Sequence, residues 1–596
     1  MHTGFDSTAN EEDALSATVV QIPRRSSIAF VDLVILVGLA LAALLPRVIL
    51  ALQLELVTDE VVYIGAGKID LSLLEHLKIG ASGWSYNYEH PPLVKLLIGL
   101  SVSLNALLTH PLDELLAARI PSILMGTLLV LAIYWLGRGR LGRVIALLAA
   151  LSLAFSPWFV YFSALAYLDT TTTTFITLAY LLLWYAPQRP VLYFLSAVLV
   201  GLGAASKYTA VFIIPGMVLF TVYYFFLLCP HLPVEQRPRT PWGWWVSAII
   251  VAPLTFLAVD PAIWPSPYNL LIHSFDFEWK HAAQGHLTFI AGQVHLQVPH
   301  WTIPFILFVK MSLFITVPAT LFACYALIQL VRFHLHISKI QIAEVINFSF
   351  ILIWLISIIG MSSLLTIVVG THYALPSAPP LVLAGAYGLT KFLSYRRGQL
   401  FSSSSSEIAS QELLQAQTLL LSHKQPQLRT VATVALLTVM LAGPHLVGLI
   451  SIPQAEGYSS ELFDGENSVL QVAYPGYRDA LQWLEKHTHG PASVGIVTLS
   501  YLGLGNQAPS WGIDTQSSSW YAYNKEFSPR YQLIAVYPGS RIPPYDYLIF
   551  PTNLIQRGMS IPAPWKYHII ESILGGNTTY CYITARSSPH LIERGK

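Results

Sequence analysis

The sequence predicts a polytopic α-helical membrane protein of about eleven transmembrane helices with a small extracytoplasmic α/β domain at its C-terminal end. Three observations carry this. Only 11% of the 596 residues are charged against 54% hydrophobic, where soluble domains run near a quarter charged. Apolar stretches of about 17 to 25 residues, long enough to cross ~30 Å of hydrocarbon, begin near Ile28, Leu115, Arg143, Thr170, Val191, Tyr208, Trp242, Thr302, Val345, Tyr373 and Thr430. After Ile452 the hydropathy falls, and a helical pattern at 477–487 is joined by the short strand-like runs SVGIV, YQLIAVYP, DYLIFP and YHIIES.

The elements follow in order. The polar tail 1–27 ends in Arg24 and Arg25 directly before the first apolar run, which is too long for a signal-peptide core and reads as a retained anchor with its N-terminus in the cytoplasm. The run from Leu93 to Leu108 decides every later orientation. If it crossed, the basic turn at Arg138, Arg140 and Arg143 and the basic stretches at 237–239, 332–339 and 395–397 would all face outward, against the positive-inside rule. It is therefore read as an in-plane or re-entrant helix within a long first external loop, 51–114. Residues 28–395 then form the transmembrane module, 396–427 a cytoplasmic Ser- and Gln-rich linker, 428–452 the last span, and 453–596 the external domain.

Net charge is +1, so no global field points to nucleic acid. Cys229, Cys324 and Cys581 are scattered, with no disulfide or metal-ligand spacing. The chemistry must come from local sites, and ionisable residues at membrane depth are costly enough to be functional candidates. With this topology Asp59, Glu60, His90, Asp169, Lys207, Asp260 and His372 all meet one external surface, each near a span end. Taken singly, each has a blander reading. Asp59 and Glu60 could cap a helix starting near Val61, Lys95 could snorkel to headgroups, Asp169 could be an N-cap, and His372 a capping histidine. Glu278 and His281 have i, i+3 spacing that would suit a divalent metal, with a solvated loop, including His286, as the other account. Asn577-Thr578-Thr579 fits a glycosylation acceptor pattern, weighed against chance. Together, the set suits sugar transfer from a polyprenyl phosphate. Cations such as Arg119 and Lys207 would meet the departing phosphate, and a carboxylate, Asp59, would take the acceptor proton in a single displacement with inversion.

Asp59-Glu60-Val61, EHPPLVKLL from Glu89, Arg119 in LAARIPS, YLD ending at Asp169 and ASKYTAVF around Lys207 together resemble the protein O-mannosyltransferase group, glycosyltransferase family 39, and its bacterial relatives among the GT-C glycosyltransferases. The similarity runs over roughly residues 28 to 395. GHLTFIAGQ near His286 followed by Lys310, and HYALPSAPP at His372 and Tyr373, extend it. The resemblance implies a GT-C fold and a polyprenyl-phosphate sugar donor, often mannose. It implies catalytic roles for Asp59, Glu60 and Asp169. It implies a substrate contact for His90 and a role for Arg119 as the donor-phosphate arginine, and supports Lys207 and His372 less directly. Lys95, which could reach lipid phosphate, and Tyr373, which would meet the same surface, are expected as substrate contacts from the residues themselves. Two features depart from the family. FSALAYLD lacks an arginine before the second acidic motif, and the external loop from Asp260 to His300 is too short for the β-trefoil insertion of eukaryotic members.

The expected function is thus a multi-pass plasma-membrane glycosyltransferase with its site on the extracytoplasmic face, acting on a protein, lipid or glycan acceptor, with no resident cofactor assigned and a divalent metal left open. The alternative is a transporter or flippase of a lipid-linked anion, which predicts charges near mid-membrane and internal repeats. The small external domain carries no nucleophile elbow, phosphate loop or metal cluster and is expected to pack over the membrane part or help hold an acceptor.

Overall fold

A computed structural model of the protein describes residues 30–57, 59–337, 340–402, 425–463, 465, 467–497, 530–536, 544–561 and 566–586. The expected cytoplasmic tail 1–27 and most of the expected linker, including Ser403 to Ser406, lie outside the described residues. The helices of the membrane part, in chain order, are α1 (Phe30–Gln53), α2 (Glu60–Glu75), α3 (Leu93–Leu107), α4 (Glu114–Leu141), α5 (Arg143–Ala154), α6 (Pro157–Ser163), α7 (Leu168–Leu183), α8 (Val191–Ala204), α9 (Ile214–Val222), α10 (Trp242–Ala258), α11 (Pro267–Gln284), α12 (Thr302–Lys310), α13 (Leu313–His334), α14 (Ile342–Ser362), α15 (Ala378–Ser402) and α16 (Gln425–Ser451).

Among the described residues six helical stretches are long and apolar enough to cross a membrane: 30–53, 114–141, 208–231, 313–334, 342–362 and 432–451. The pair α5 and α6, bent by 64°, makes a seventh if counted as one broken span. The expected eleven is therefore not reached by length and composition. The four missing runs are those from Thr170, Val191 and Trp242, whose helices are too short, and the one from Tyr373, which is not among these stretches. The run from Thr302 does count, through 313–334, but starts later than expected. The run from Thr302 breaks after nine residues, where Met311 turns extended and Ser312 caps α13 by accepting from the Phe314 amide at 3.2 Å. Helices α7, α8 and α10 have 16, 14 and 17 residues. The bend at α5–α6 has a local cause: Ser156 accepts from the Phe159 amide and Pro157 fills the first helical position, so a new helix starts where the old one stops.

The run from Leu93 to Leu108, expected to be an in-plane or re-entrant helix, forms the 15-residue α3, which packs on α2 and α4. Its crossing with α2 is made by two glycines. A Cβ on Gly67 would collide with the Lys95 carbonyl, and one on Gly99 with the Gly67 carbonyl, so the backbones meet directly.

At the opposite end of α1, Asp32 is buried and ties the start of that helix to the α4–α5 turn. It accepts from Tyr134 at 2.8 Å and from Arg143 at 2.9 Å, and also pairs with Arg138. These arginines are part of the basic turn used above to orient the chain.

After α16 come a helix α17 (Tyr477–His487) and a five-stranded mixed sheet of β3 (Ala492–Val497), β4 (Tyr531–Val536), β5 (Tyr547–Pro551), β6 (Tyr567–Gly575) and β7 (Thr578–Arg586), in the order β4-β3-β5-β7-β6. The β3 strand runs parallel to β4 and β5, while β7 runs antiparallel to β5 and β6. This is the expected α/β domain. A two-stranded hairpin, β1 (Thr288–Ile290) with β2 (Gln293–His295), reaches toward it from the α11–α12 connection, and Ile290 bridges to Leu470. One buried cluster runs from Leu39 on α1 through Trp158 and Ile303 to Tyr474, Leu481, Ile549 and Ile583, so it joins the sheet domain to the helical bundle, and a smaller cluster around Leu548 and Phe550 belongs to the sheet domain alone.

Candidate functional site

The end of α1, the start of α2, the start of α4, the loop before α7 and the end of α8 meet at one end of the bundle. Asp59 is the N-cap residue of α2, but its side chain makes no capping bond, so the helix-cap reading is not realised. It is partly exposed. Its surroundings are the Tyr167 hydroxyl, Asp169, Lys207 and, from the sheet domain, Arg557. Burial pushes its pKa up to about 6, opposed mainly by Lys207.

Glu60 is different in kind. It is fully buried and forms a two-pronged pair with Arg119, Nη2 to Oε2 at 2.6 Å and Nε to Oε1 at 2.8 Å. The same carboxylate accepts from the Val57 amide at 2.9 Å and the Ala166 amide at 2.8 Å. Arg119 is also fully buried. Its remaining donors reach the carbonyls of Ala51 (2.7 Å), Leu54 (2.9 Å) and Glu55 (2.7 Å). All five N–H groups of a guanidinium are therefore taken, and none remains for a phosphate. The expectation that Arg119 meets the donor phosphate, and that Glu60 takes part in chemistry, does not fit this geometry. The pair instead ties the end of α1, residues 54–57 and the start of α2 to α4 and the loop before α7.

Asp169 lies in the first turn of α7, whose N-cap is Tyr167, and it turns to Lys207 instead of capping: Nζ to Oδ1 is 2.7 Å. Both residues are 5% exposed. The second oxygen of Asp169 is buried with no hydrogen-bond partner. The Lys207 ammonium also stands 4.5 Å over the Tyr373 ring. A narrow pocket beside them is lined by Asp169, Thr172, Thr209, Phe212, Ser362, Leu365, Tyr373 and Pro376. His372 packs among aromatic rings, 5.4 Å from Phe162 and 5.8 Å from Tyr167, while Tyr63 stands edge-on to Tyr167 at 5.8 Å.

The HPP turn comes in from the other side. His90 is 4.0 Å from the Glu278 carboxylate of α11 and 6.1 Å, ring to ring, from Tyr63. Burial, with Lys207 and Lys95, pushes the His90 imidazole down to about 3, and burial lifts Glu278 to about 7. Lys95 neither snorkels nor faces the site. It is 2% exposed, donates to the carbonyls of Asn87 and His90 at 2.8 Å each, and lies 3.7 Å from Asp70; it holds the turn, and a substrate contact for it does not fit. Asp260, expected at this surface, is buried near Lys95 and Asp70, and burial lifts it to about 7. For Glu278 and His281, no group of three or more His, Cys, Asp or Glu side chains is placed to hold a metal ion among the described residues.

Sequence reasoning missed Tyr63, Tyr167, Glu55 and Arg557. The two tyrosines sit next to singled-out motifs, yet an aromatic among aromatics gives no signal. Glu55 and Arg557 matter through partners hundreds of positions away.

This arrangement is a membrane-protein site in which one carboxylate of raised pKa stands with an acid–lysine pair inside an aromatic collar. Residues 89–258 match the family model described as dolichyl-phosphate-mannose-protein mannosyltransferase. That stretch holds His90, Lys95, Arg119, Asp169 and Lys207; Asp59 and His372 fall outside it. No curated protein matches the chain. Among solved structures, the chain is similar to ArnT from Cupriavidus metallidurans bound to undecaprenyl phosphate, at 13% identity over 94% of this chain and 98% of that one, with a TM-score of 0.46. It is also similar to the archaeal oligosaccharyltransferase AglB from Archaeoglobus fulgidus in complex with an inhibitory peptide and a dolichol-phosphate, at 12% identity over 88% of this chain and 69% of that one, with a TM-score of 0.47.

Proposed function

We propose that this protein is a GT-C glycosyltransferase that moves a hexose, mannose by the family description, from a polyprenyl phosphate to an acceptor hydroxyl on a protein, lipid or glycan at the extracytoplasmic face of the plasma membrane. The observation that carries the reading is Asp59, an acid lifted to about 6 and facing the Lys207–Asp169 pair. A base works best with a pKa near the working pH. In the reaction the acceptor oxygen bonds to the anomeric carbon, the bond from that carbon to the phosphate oxygen breaks, and the acceptor proton passes to Asp59. Lys207 meets the charge gathering on the leaving phosphate. Asp169 fixes the ammonium from behind, and Tyr63, Tyr167 and His372 supply flat apolar faces for a sugar ring. His90, neutral, is free to donate or accept a hydrogen bond from a sugar hydroxyl. Displacement from the face opposite the phosphate gives inversion. The Arg119–Glu60 pair has a positioning part in this reading, replacing the phosphate contact expected for it.

The test uses purified protein with a polyprenyl-phosphate mannose and a hydroxyl-bearing peptide, lipid or glycan as acceptor. Release of polyprenyl phosphate is expected, and Asp59→Asn should cut it by at least ~10²-fold, the usual worth of a placed base. Full turnover by Asp59→Asn would sink the mechanism. In proteoliposomes, a lipid that crosses with its sugar intact would support transport instead.

A further inference from the structure

Gly476, the residue before α17, has a φ of +72° and packs against Tyr580 and Cys581, where a Cβ would be 2.9 Å from the Tyr580 side chain. Backbone and packing both require glycine there, so this helix has no capping side chain of its own. The cap comes from Glu55. Its carboxylate accepts from the Tyr477 amide at 2.9 Å and the Arg478 amide at 2.8 Å, and the residue is 2% exposed. A carboxylate at a helix N-terminus satisfies orphan donors and suits the helix dipole. The backbone carbonyl of the same residue is held by Arg119 at 2.7 Å. Arg119 holds Glu60, and Glu60 is next to Asp59.

We propose that the C-terminal α/β domain is a working part of the site: through Glu55, a positioning residue, α17 sets residues 54–57 and, by way of Arg119 and Glu60, the place of Asp59. Residues 54–57 belong to no helix or strand, so their conformation is fixed by what they are bonded to, and two of those bonds come from the far domain. Arg557 of that domain also stands within electrostatic reach of Asp59, so the domain lies over the site and not apart from it. This proposal rests on the glycosyl-transfer reading of Asp59.

The experiment compares full-length wild type, Glu55→Ala, Glu55→Gln and Asp59→Asn. Hydrogen–deuterium exchange is followed in peptides over 54–60 and 477–480, with release of polyprenyl phosphate from a polyprenyl-phosphate mannose as the second readout. In Glu55→Ala, exchange should rise in both peptides together. Its kcat should fall about tenfold with donor KM unchanged, since a small misplacement of a reacting group costs rate. Glu55→Gln, which keeps one acceptor oxygen and serves if the alanine variant does not fold, should recover part of both. Faster exchange confined to 477–480, or wild-type kcat in a variant whose helix has loosened, overturns the proposal. Those results with an inactive Asp59→Asn would leave the transfer reading standing, whereas an active Asp59→Asn removes that reading and leaves the exchange result to decide the coupling alone.

Discussion

At the residue scale, the adjacent acids Asp59 and Glu60 have opposite fates, and the difference is one of partners. Asp59 has burial without a bonded cation, which raises its pKa to about 6. A base must be ionised to work, so activity should fall as pH drops through about 6 and hold above it; a pH profile of kcat/KM would check this, and an acid limb near 4 would contradict it. Glu60 has a bonded cation and two amides. Removing one partner of a buried pair leaves a stranded charge, at a cost of about 3–5 kcal/mol. Arg119→Ala should therefore lower thermal stability markedly, read as Tm in detergent, and a variant that kept its Tm but lost donor affinity would restore the phosphate role. Both acids are legible in the sequence as an oddity of charge in an apolar chain. Which one stays reactive is not, because the pair with Arg119 spans 59 positions.

At the element scale, the α2–α3 crossing and the turn beyond it shape the wall of the site. Gly99→Leu should separate the two helices, since its side chain would occupy the Gly67 carbonyl's place; loss of folded protein in size-exclusion chromatography is expected, while Gly243→Leu, in open space, should be tolerated. Below the HPP turn, Asp70 and Asp260 share Lys95. Burial raises them to about 6 and about 7. An acid with a folded pKa above its unfolded ~3.9 favours folding while protonated, so this contribution is lost as pH rises from about 4 to about 7. Asp260→Asn should leave Tm nearly unchanged at pH 4 and raise it relative to wild type at pH 8. The existence of these helices was legible from apolar runs and from Pro91-Pro92. Their lengths were not, because a nine-residue α12 and a longer α13 read as one stretch until Ser312 caps the second.

At the scale of the whole molecule, the sheet domain is fastened to the bundle at several points besides Glu55. The Lys310 ammonium donates to the carbonyls of Glu456 at 2.6 Å and Tyr458 at 3.0 Å, and Glu461 accepts from the Ser312 hydroxyl and the Leu313 amide. Lys310→Met should loosen this joint, and limited proteolysis near 453 should release the domain faster than from wild type; equal rates would show that the joint does not depend on the lysine. The missing arginine of FSALAYLD leaves Lys207 as the cation facing Asp169 among the described residues.

By itself the sequence determined the membrane class, the α/β tail and the residues from which a site could be built, because hydropathy, turn chemistry and rare charges are local quantities. Only the tertiary structure decided their parts. Whether a buried charge is spent on a neighbour or left for a substrate depends on contacts such as Arg119 with Glu60, Lys207 with Asp169 and Glu55 with α17, and contacts across tens to hundreds of residues leave no trace in local pattern.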